Sequence, residues 1–279
     1  MRNINNNYKP YQWRLWLIFI AIFAISIAAV FEHSHSKYKH NQAVSSNITS
    51  LADQLNAVGF NRARQDLFGI SKMPGIISTA RGDNLADNPE VLAAITAASF
   101  TSEANIIYLL NASGTTVACT PFDDGKTFTG NNYAFRPYFS NVINSGEPAF
   151  YAALGVTTNL RGIYVSVPVI NEQEVLGVLV AKLPLTEIDR CLNNRSCPVA
   201  LVSPDGVVFA SNQKEWLFKT VWPITQEKRN EILATKQFAD EPLEPLGSDF
   251  LQASLVVDGK NYEAISVEVM TNNHNHPIV

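Results

Sequence analysis

From Leu15 to Phe31 the chain reads LWLIFIAIFAISIAAVF, with Ser26 as its only polar residue. As a helix rising about 1.5 Å per residue this run reaches roughly 25 Å, a short but adequate membrane span. A helix packed on the outside of a soluble domain keeps a polar face, and this run has none. Arg2, Lys9 and Arg14 precede it, and Tyr11, Trp13 and Trp16 stand where an interfacial aromatic belt belongs. The positive-inside rule therefore makes residues 1–14 a cytoplasmic tail, 15–31 a transmembrane helix in the inner membrane, and everything after about residue 32 periplasmic. Cleavage as a signal peptide is the competing reading, because Ser26 to Ala29 offer small residues of the kind found at cleavage sites. Both readings export the same residues.

Residues 32–75 are expected to form a long helical stalk. Val44, Ile48, Leu51, Leu55 and Val58 recur at steps of four and three, and Ala63, Leu67 and Ile70 carry the stripe on after a change of phase. Such a stripe either joins two copies as a homodimer through residues 40–70 or packs against its own domain. The number of clean heptads is too small to choose the dimer on pattern alone.

The segment RGDNLADNPE at 81–90 reads as a loop, with Asp87 or Asn88 capping a helix whose first turn holds Pro89 and Glu90. Strands are expected at 106–110 and 115–119, as a hairpin around Asn111 to Gly114, then at 149–154, 162–169 and 175–183. A similar strand, turn and strand return in PVALVS, Pro204-Asp205-Gly206 and VVFAS. Strands at 251–257 and 262–269 would complete a second, smaller sheet. The fold class is thus α+β, with two tandem antiparallel units at 76–185 and 186–270 and a tail at 271–279.

A net charge of −4 gives no basic excess for nucleic acid. Three cysteines cannot supply a disulfide framework, although Cys191 and Cys197 are near enough in sequence for one local bridge in an oxidising compartment, leaving Cys119 over. No phosphate-binding glycine loop, dinucleotide fingerprint, zinc-protease helix or nucleophile elbow is present. His33, His35, His40, His274 and His276 sit beside the anchor or in the tail. Asp123-Asp124-Gly125 lacks the alternating oxygen ligands of a calcium loop and reads as a solvated turn. No catalytic residue, metal site or cofactor is expected.

The most informative stretches are GNNYAFRPYF at 130–139, ALGVTTNLRGIYVSVPV at 153–169 and LGVLVAKL at 176–183. They combine an arginine among aromatics, a turn rich in hydroxyls, and a lysine ending an apolar strand. An arginine offers a planar fork, a lysine a point charge, and threonine hydroxyls complete the shell of a carboxylate. A lysine among apolar strand neighbours is also hard to explain as ordinary surface. Arg161, by contrast, reads as an exposed loop charge.

These motifs closely resemble the sensor region of the bacterial C4-dicarboxylate sensor histidine kinases, and PDGVVFASNQKEWLFKTVWPI at 204–224 with KQFADEPLEPL at 236–246 extends the likeness to roughly 100–250. The resemblance implies a double Cache (tandem PAS-like) periplasmic domain: 76–185 a membrane-distal ligand-binding domain, 186–270 a membrane-proximal one. It implies a dicarboxylate gripped by Arg136 and Lys182, with Thr157, Thr158, Tyr133, Tyr138 and Tyr164 around it. The whole cluster is expected to fall between 130 and 185. The turn reads Gly-Val-Thr-Thr where the family shows Gly-Thr-Thr-Ser, and 119–121 read Cys-Thr-Pro, so the identity of the acid stays open. No kinase ATP-binding motif follows. The expected function is an extracytoplasmic sensor module for a small carboxylate, either part of a truncated receptor or a stand-alone sensor with a separate signalling partner. The alternative is a structural or interaction subunit that keeps the fold without the ligand.

Overall fold

The computed structural model describes residues 60–123 and 125–247, with isolated positions before residue 60 and short strand segments after 249. The anchor expected at 15–31, most of the stalk and the histidines lie outside the described residues. No helix among the described residues is long and apolar enough to cross a membrane. The chain divides into two compact units, Met1–Thr49 and Ser50–Val279, and every described sheet belongs to the second.

That unit opens with α1 (Phe60–Ile70), α2 (Pro74–Arg81) and α3 (Pro89–Ser102). The stalk helix stops at Ile70, short of the expected 75. Proline disfavours helix in the residue before it, and Met73 is accordingly extended (φ −71°, ψ 136°), with a new helix starting on Pro74. Phe60, Ala63 and Leu67 are buried in one cluster with Ile76, Ile95 and Ile163. Over 60–70, then, the apolar stripe packs into the chain's own core. Asn88 caps α3, its side chain accepting from the amides of Glu90 and Val91.

Strands β1 (Ile106–Asn111), β2 (Thr116–Cys119), β3 (Ala149–Leu154), β4 (Arg161–Asn171) and β5 (Glu174–Pro184) form a five-stranded sheet in the order β2-β1-β5-β4-β3. All its pairings are antiparallel. At the β1–β2 turn the Asn111 side chain accepts from the amides of Ser113 and Thr115. Gly114 stands at φ +79°, where a Cβ would come within 2.7 Å of the Ala134 side chain, so only glycine fits. Alternation along the strands sorts the side chains to two faces. Ile107, Leu109, Ile163, Val165, Leu179 and Ala181 share a core with α1, α2 and α3. Ile106, Tyr108, Leu110, Tyr164, Val178 and Val180 pack on the other face under α4 (Pro137–Ser145). Lys182 lies opposite Ile106 on one side and Tyr164 on the other, so the pleat places it on this second face.

Beyond β5 come α5 (Thr186–Asn193), β6 (Ala200–Val202), β7 (Val208–Ser211) and α6 (Gln226–Ala234). The remaining strands are β8 (Phe250–Leu251), β9 (Ser254–Val257), β10 (Lys260–Glu263), β11 (Val269–Thr271) and β12 (Pro277–Ile278). Where the sequence suggests one second sheet, the described strands form three: β6 with β7, β8 to β10, and β11 with β12. The edge of β7 is occupied locally, since Val208 N–H donates to the Lys219 carbonyl and Phe218 N–H to the Val208 carbonyl. The apolar core nevertheless runs on from the first sheet to Leu201, Val207, Phe209 and Phe238.

Two expectations are corrected by this arrangement. Arg161 is half-buried, pairing with Asp189 of α5 at 2.9 Å and donating to the Phe209 carbonyl of β7 at 2.9 Å. It is a clasp between sheets, because the first residue of β4 faces the elements that follow β5. Cys191 and Cys197 are free thiols. Cys191 packs from α5 against the core, whereas Cys197 is exposed in a loop where its carbonyl accepts from Asn212 at 2.8 Å.

Candidate functional site

Lys182 comes from the central strand β5 and is only 3% exposed. The ammonium donates to the Thr158 hydroxyl at 2.6 Å and the Leu160 carbonyl at 3.0 Å, and lies 5.8 Å from the centre of the Tyr164 ring. Two glycines make room for it. A Cβ on Gly162 would meet the lysine stem at 2.7 Å, and one on Gly155 would meet the ammonium at 2.8 Å and the Thr158 hydroxyl at 2.4 Å. Burial, and then the positive charge of Arg136, lower its pKa to about 8.

Arg136 stands at the N-cap of α4 in extended conformation (φ −84°, ψ 130°), with Pro137 as the first helical residue. It is 1% exposed. One terminal nitrogen donates to the carbonyls of Lys236 (2.8 Å) and Thr235 (3.3 Å), the other to that of Leu154 (2.8 Å). Its Nε–H is buried without a partner. Among the described residues no carboxylate lies within ion-pair distance of Arg136 or Lys182. Burying a cation costs several kcal/mol, and carbonyls supply dipoles but no countercharge. Two buried cations, one from β5 and one from the N-cap of α4, thus stand on the same side of the sheet with no acidic partner among the described residues.

Hydroxyls surround them. Tyr108 donates to Tyr138 at 2.8 Å, Tyr133 and Thr157 share a hydrogen bond at 3.0 Å, and Tyr138 stacks on Tyr164. Burial holds the phenols of Tyr108, Tyr138 and Tyr164 well above their usual range, so they remain neutral donors. The 155–160 turn is closed by the Gly155 N–H donating to the Leu160 carbonyl and the Asn159 N–H to the Gly155 carbonyl.

Arg136, Tyr133, Tyr138, Thr157, Thr158 and Tyr164 line a common space, joined by Tyr108, Phe128, Gly155 and Val156. Lys182 stands one side chain behind, reaching it through Thr158. The space measures about 10 Å³, room for roughly one water. Sequence reasoning missed Tyr108, although a lone hydroxyl in the apolar strand IIYLL was its signal. It also missed the carbonyls of Thr235 and Lys236, which no side chain announces.

The unit is mixed α+β, with an antiparallel sheet and with buried cations and hydroxyls gathered under one helix. Its relatives are particular. Over 145 residues, 52% of this chain and 23% of the relative, it is 34% identical to the C4-dicarboxylate transport sensor protein DctB of Rhizobium meliloti. Over 143 residues, 51% of this chain and 23% of the relative, it is 32% identical to the protein of the same name from Pseudomonas aeruginosa. The fold matches the sensor domain of the V. cholerae histidine kinase DctB with a TM-score of 0.67 and 28% identity, covering 81% of this chain and 90% of that one. No family model matches the chain. The chain is thus related, in sequence and fold, to the sensor region of the C4-dicarboxylate sensor kinases, and spans about a quarter of the curated relatives' length.

Proposed function

We propose that this chain is an extracytoplasmic sensor module, anchored through residues 15–31, that binds a small dicarboxylate between Arg136 and Lys182. One observation carries the reading: two buried cations share a sheet face with neutral hydroxyl donors and no acidic partner among the described residues. Two carboxylates would supply the missing countercharges, and Tyr and Thr hydroxyls would replace the water each carboxylate loses. Thr157 and Thr158 sit in a turn whose neighbour Val156 is exposed, so the 155–160 turn is the element that opens to admit an acid far larger than one water. The double Cache division into 76–185 and 186–270 and pairing of two copies within the 40–70 stretch complete the proposal.

Calorimetry of the full chain with succinate, fumarate, malate and acetate tests it. Lys182→Met keeps the lysine's stem and removes its charge, and Arg136→Ala removes the fork. Loss of one partner from a desolvated charge pair costs about 2–5 kcal/mol, so each variant should weaken the preferred acid by roughly 30-fold or more. Retention of wild-type affinity within about threefold by both variants defeats the proposal. A ligand-free interaction subunit is the second reading, favoured by the small size of the space that Arg136 lines with the tyrosines and threonines. It predicts no heat with any acid.

A further inference from the structure

We infer that residues 235–237, well outside the 108–182 stretch that holds the other site residues, are a positioning strap that aims Arg136 into the site and makes ligand occupancy felt by the second half of the fold. The inference rests on the carboxylate reading and adds a residue set and a coupling to it.

A guanidinium is planar, with five N–H donors in a fixed fork, so holding its two terminal nitrogens fixes where Nε–H points. Leu154 of β3 holds one terminal nitrogen, and the strap holds the other through two successive carbonyls, Thr235 and Lys236. Lys236 adopts φ +51°, a left-handed conformation uncommon for a residue with a side chain. It is there that the chain turns both carbonyls onto one nitrogen.

The strap is in turn fastened to β3. Leu154 N–H donates to the Gln237 carbonyl at 2.8 Å, the buried Gln237 amide donates to the Ala152 carbonyl at 2.9 Å, and Tyr151 donates to the Thr235 hydroxyl at 3.4 Å. The next residue, Phe238, is 1% exposed and packs against Phe209 of β7 and Phe218. One continuous path therefore runs from the guanidinium through the strap to the core beneath β6 and β7. The unpartnered Nε–H is the donor left for an incoming carboxylate. An acid that engages it tightens the fork on both sides, and by reciprocity an ordered strap tightens the acid.

The test uses the full chain with succinate, fumarate and malate, combining calorimetry with amide hydrogen exchange. Saturation with the preferred acid should slow exchange within 235–241 at least about tenfold. Gln237→Ala should weaken that acid at least about tenfold when measured well below its melting temperature. Lys236→Gly, which accepts positive φ, should keep affinity within about threefold, whereas Lys236→Val should not. A merely structural lesion would lower the melting temperature and leave the affinity of folded molecules unchanged. Wild-type binding with unaltered exchange at 235–241 overturns the inference by itself, even if Gln237→Ala fails to fold. Equal affinity in wild type and Gln237→Ala does the same. No binding by wild type to any of the three acids overturns the carboxylate reading and the strap with it.

Discussion

Tyr138 of α4 lies flat on Tyr164 of β4, their ring centres 4.9 Å apart and their planes 7° from parallel. The stack seats the first turn of α4 on the sheet, and the Tyr138 hydroxyl also accepts from Tyr108 at 2.8 Å. Tyr138→Phe keeps the stack and strands the buried Tyr108 hydroxyl. Denaturant unfolding should show a loss of about 1–3 kcal/mol, the cost of an unsatisfied buried donor. A loss below about 0.5 kcal/mol would mean that the Tyr108 hydroxyl finds another partner.

Lys182 sets the pH range of the proposed sensor. Its pKa is lowered to about 8, first by burial and then by Arg136, from an ordinary value of 10.5. Between these values the unfolded chain holds a proton that the folded chain has released, so this lysine opposes folding below about pH 8 and the opposition fades as pH rises toward 10.5. Acid binding has the opposite sign, because a carboxylate needs the ammonium. Affinity should be flat below about pH 7.5 and fall by up to about tenfold per unit above about pH 8. Near that pH the binding heat should vary with buffer ionisation enthalpy as a proton is taken up. Lys182→Arg, which stays charged, should flatten the profile; a profile unchanged in that variant would assign the titration elsewhere.

Gly155 has no left-handed backbone to explain it, yet a Cβ there would press on the Thr158 hydroxyl at 2.4 Å and the Lys182 ammonium at 2.8 Å. The glycine is needed for space. Gly155→Ala should cost the preferred acid at least about tenfold, equivalent to about 1.4 kcal/mol, by moving the lysine off its carbonyl. Gly69 in α1 is the control, since a Cβ added there would have nothing within 4 Å. Gly69→Ala should leave binding untouched and raise stability by up to about 1 kcal/mol through helix propensity. Calorimetry and thermal melts on the two proteins separate these outcomes.

The five-stranded sheet is largely legible in the sequence. AFYAAL occupies 149–154 as expected, and the hairpin turns at Asn111 to Gly114, because alternation and turn residues act locally. Arg136 and Lys182 are legible because charge in apolar surroundings is conspicuous. Pro74 carries a stop signal, but the apolar stripe running toward it masks where the helix ends. Arg161 and the split second sheet are not legible. Both depend on which distant backbone carbonyl or edge lies nearby, as with Phe209 and the 218–220 segment. The same holds for the strap, whose contribution to Arg136 is entirely main-chain.

Because the apolar core passes without a break from Leu183 and Leu185 into Ile188, Leu201 and Phe209, residue 185 is a poor crossover point for receptor chimeras. A hybrid joined there would bring a foreign surface against half of a core, and would lose both the Arg161–Asp189 clasp and the Thr235 and Lys236 carbonyls that hold one end of the Arg136 fork. Grafting the proposed binding site onto a receptor calls for transplanting 60–247 as one piece. The same continuity limits recombination between relatives: exchanges that separate the strap from α4 carry a folding penalty before any signalling defect is felt.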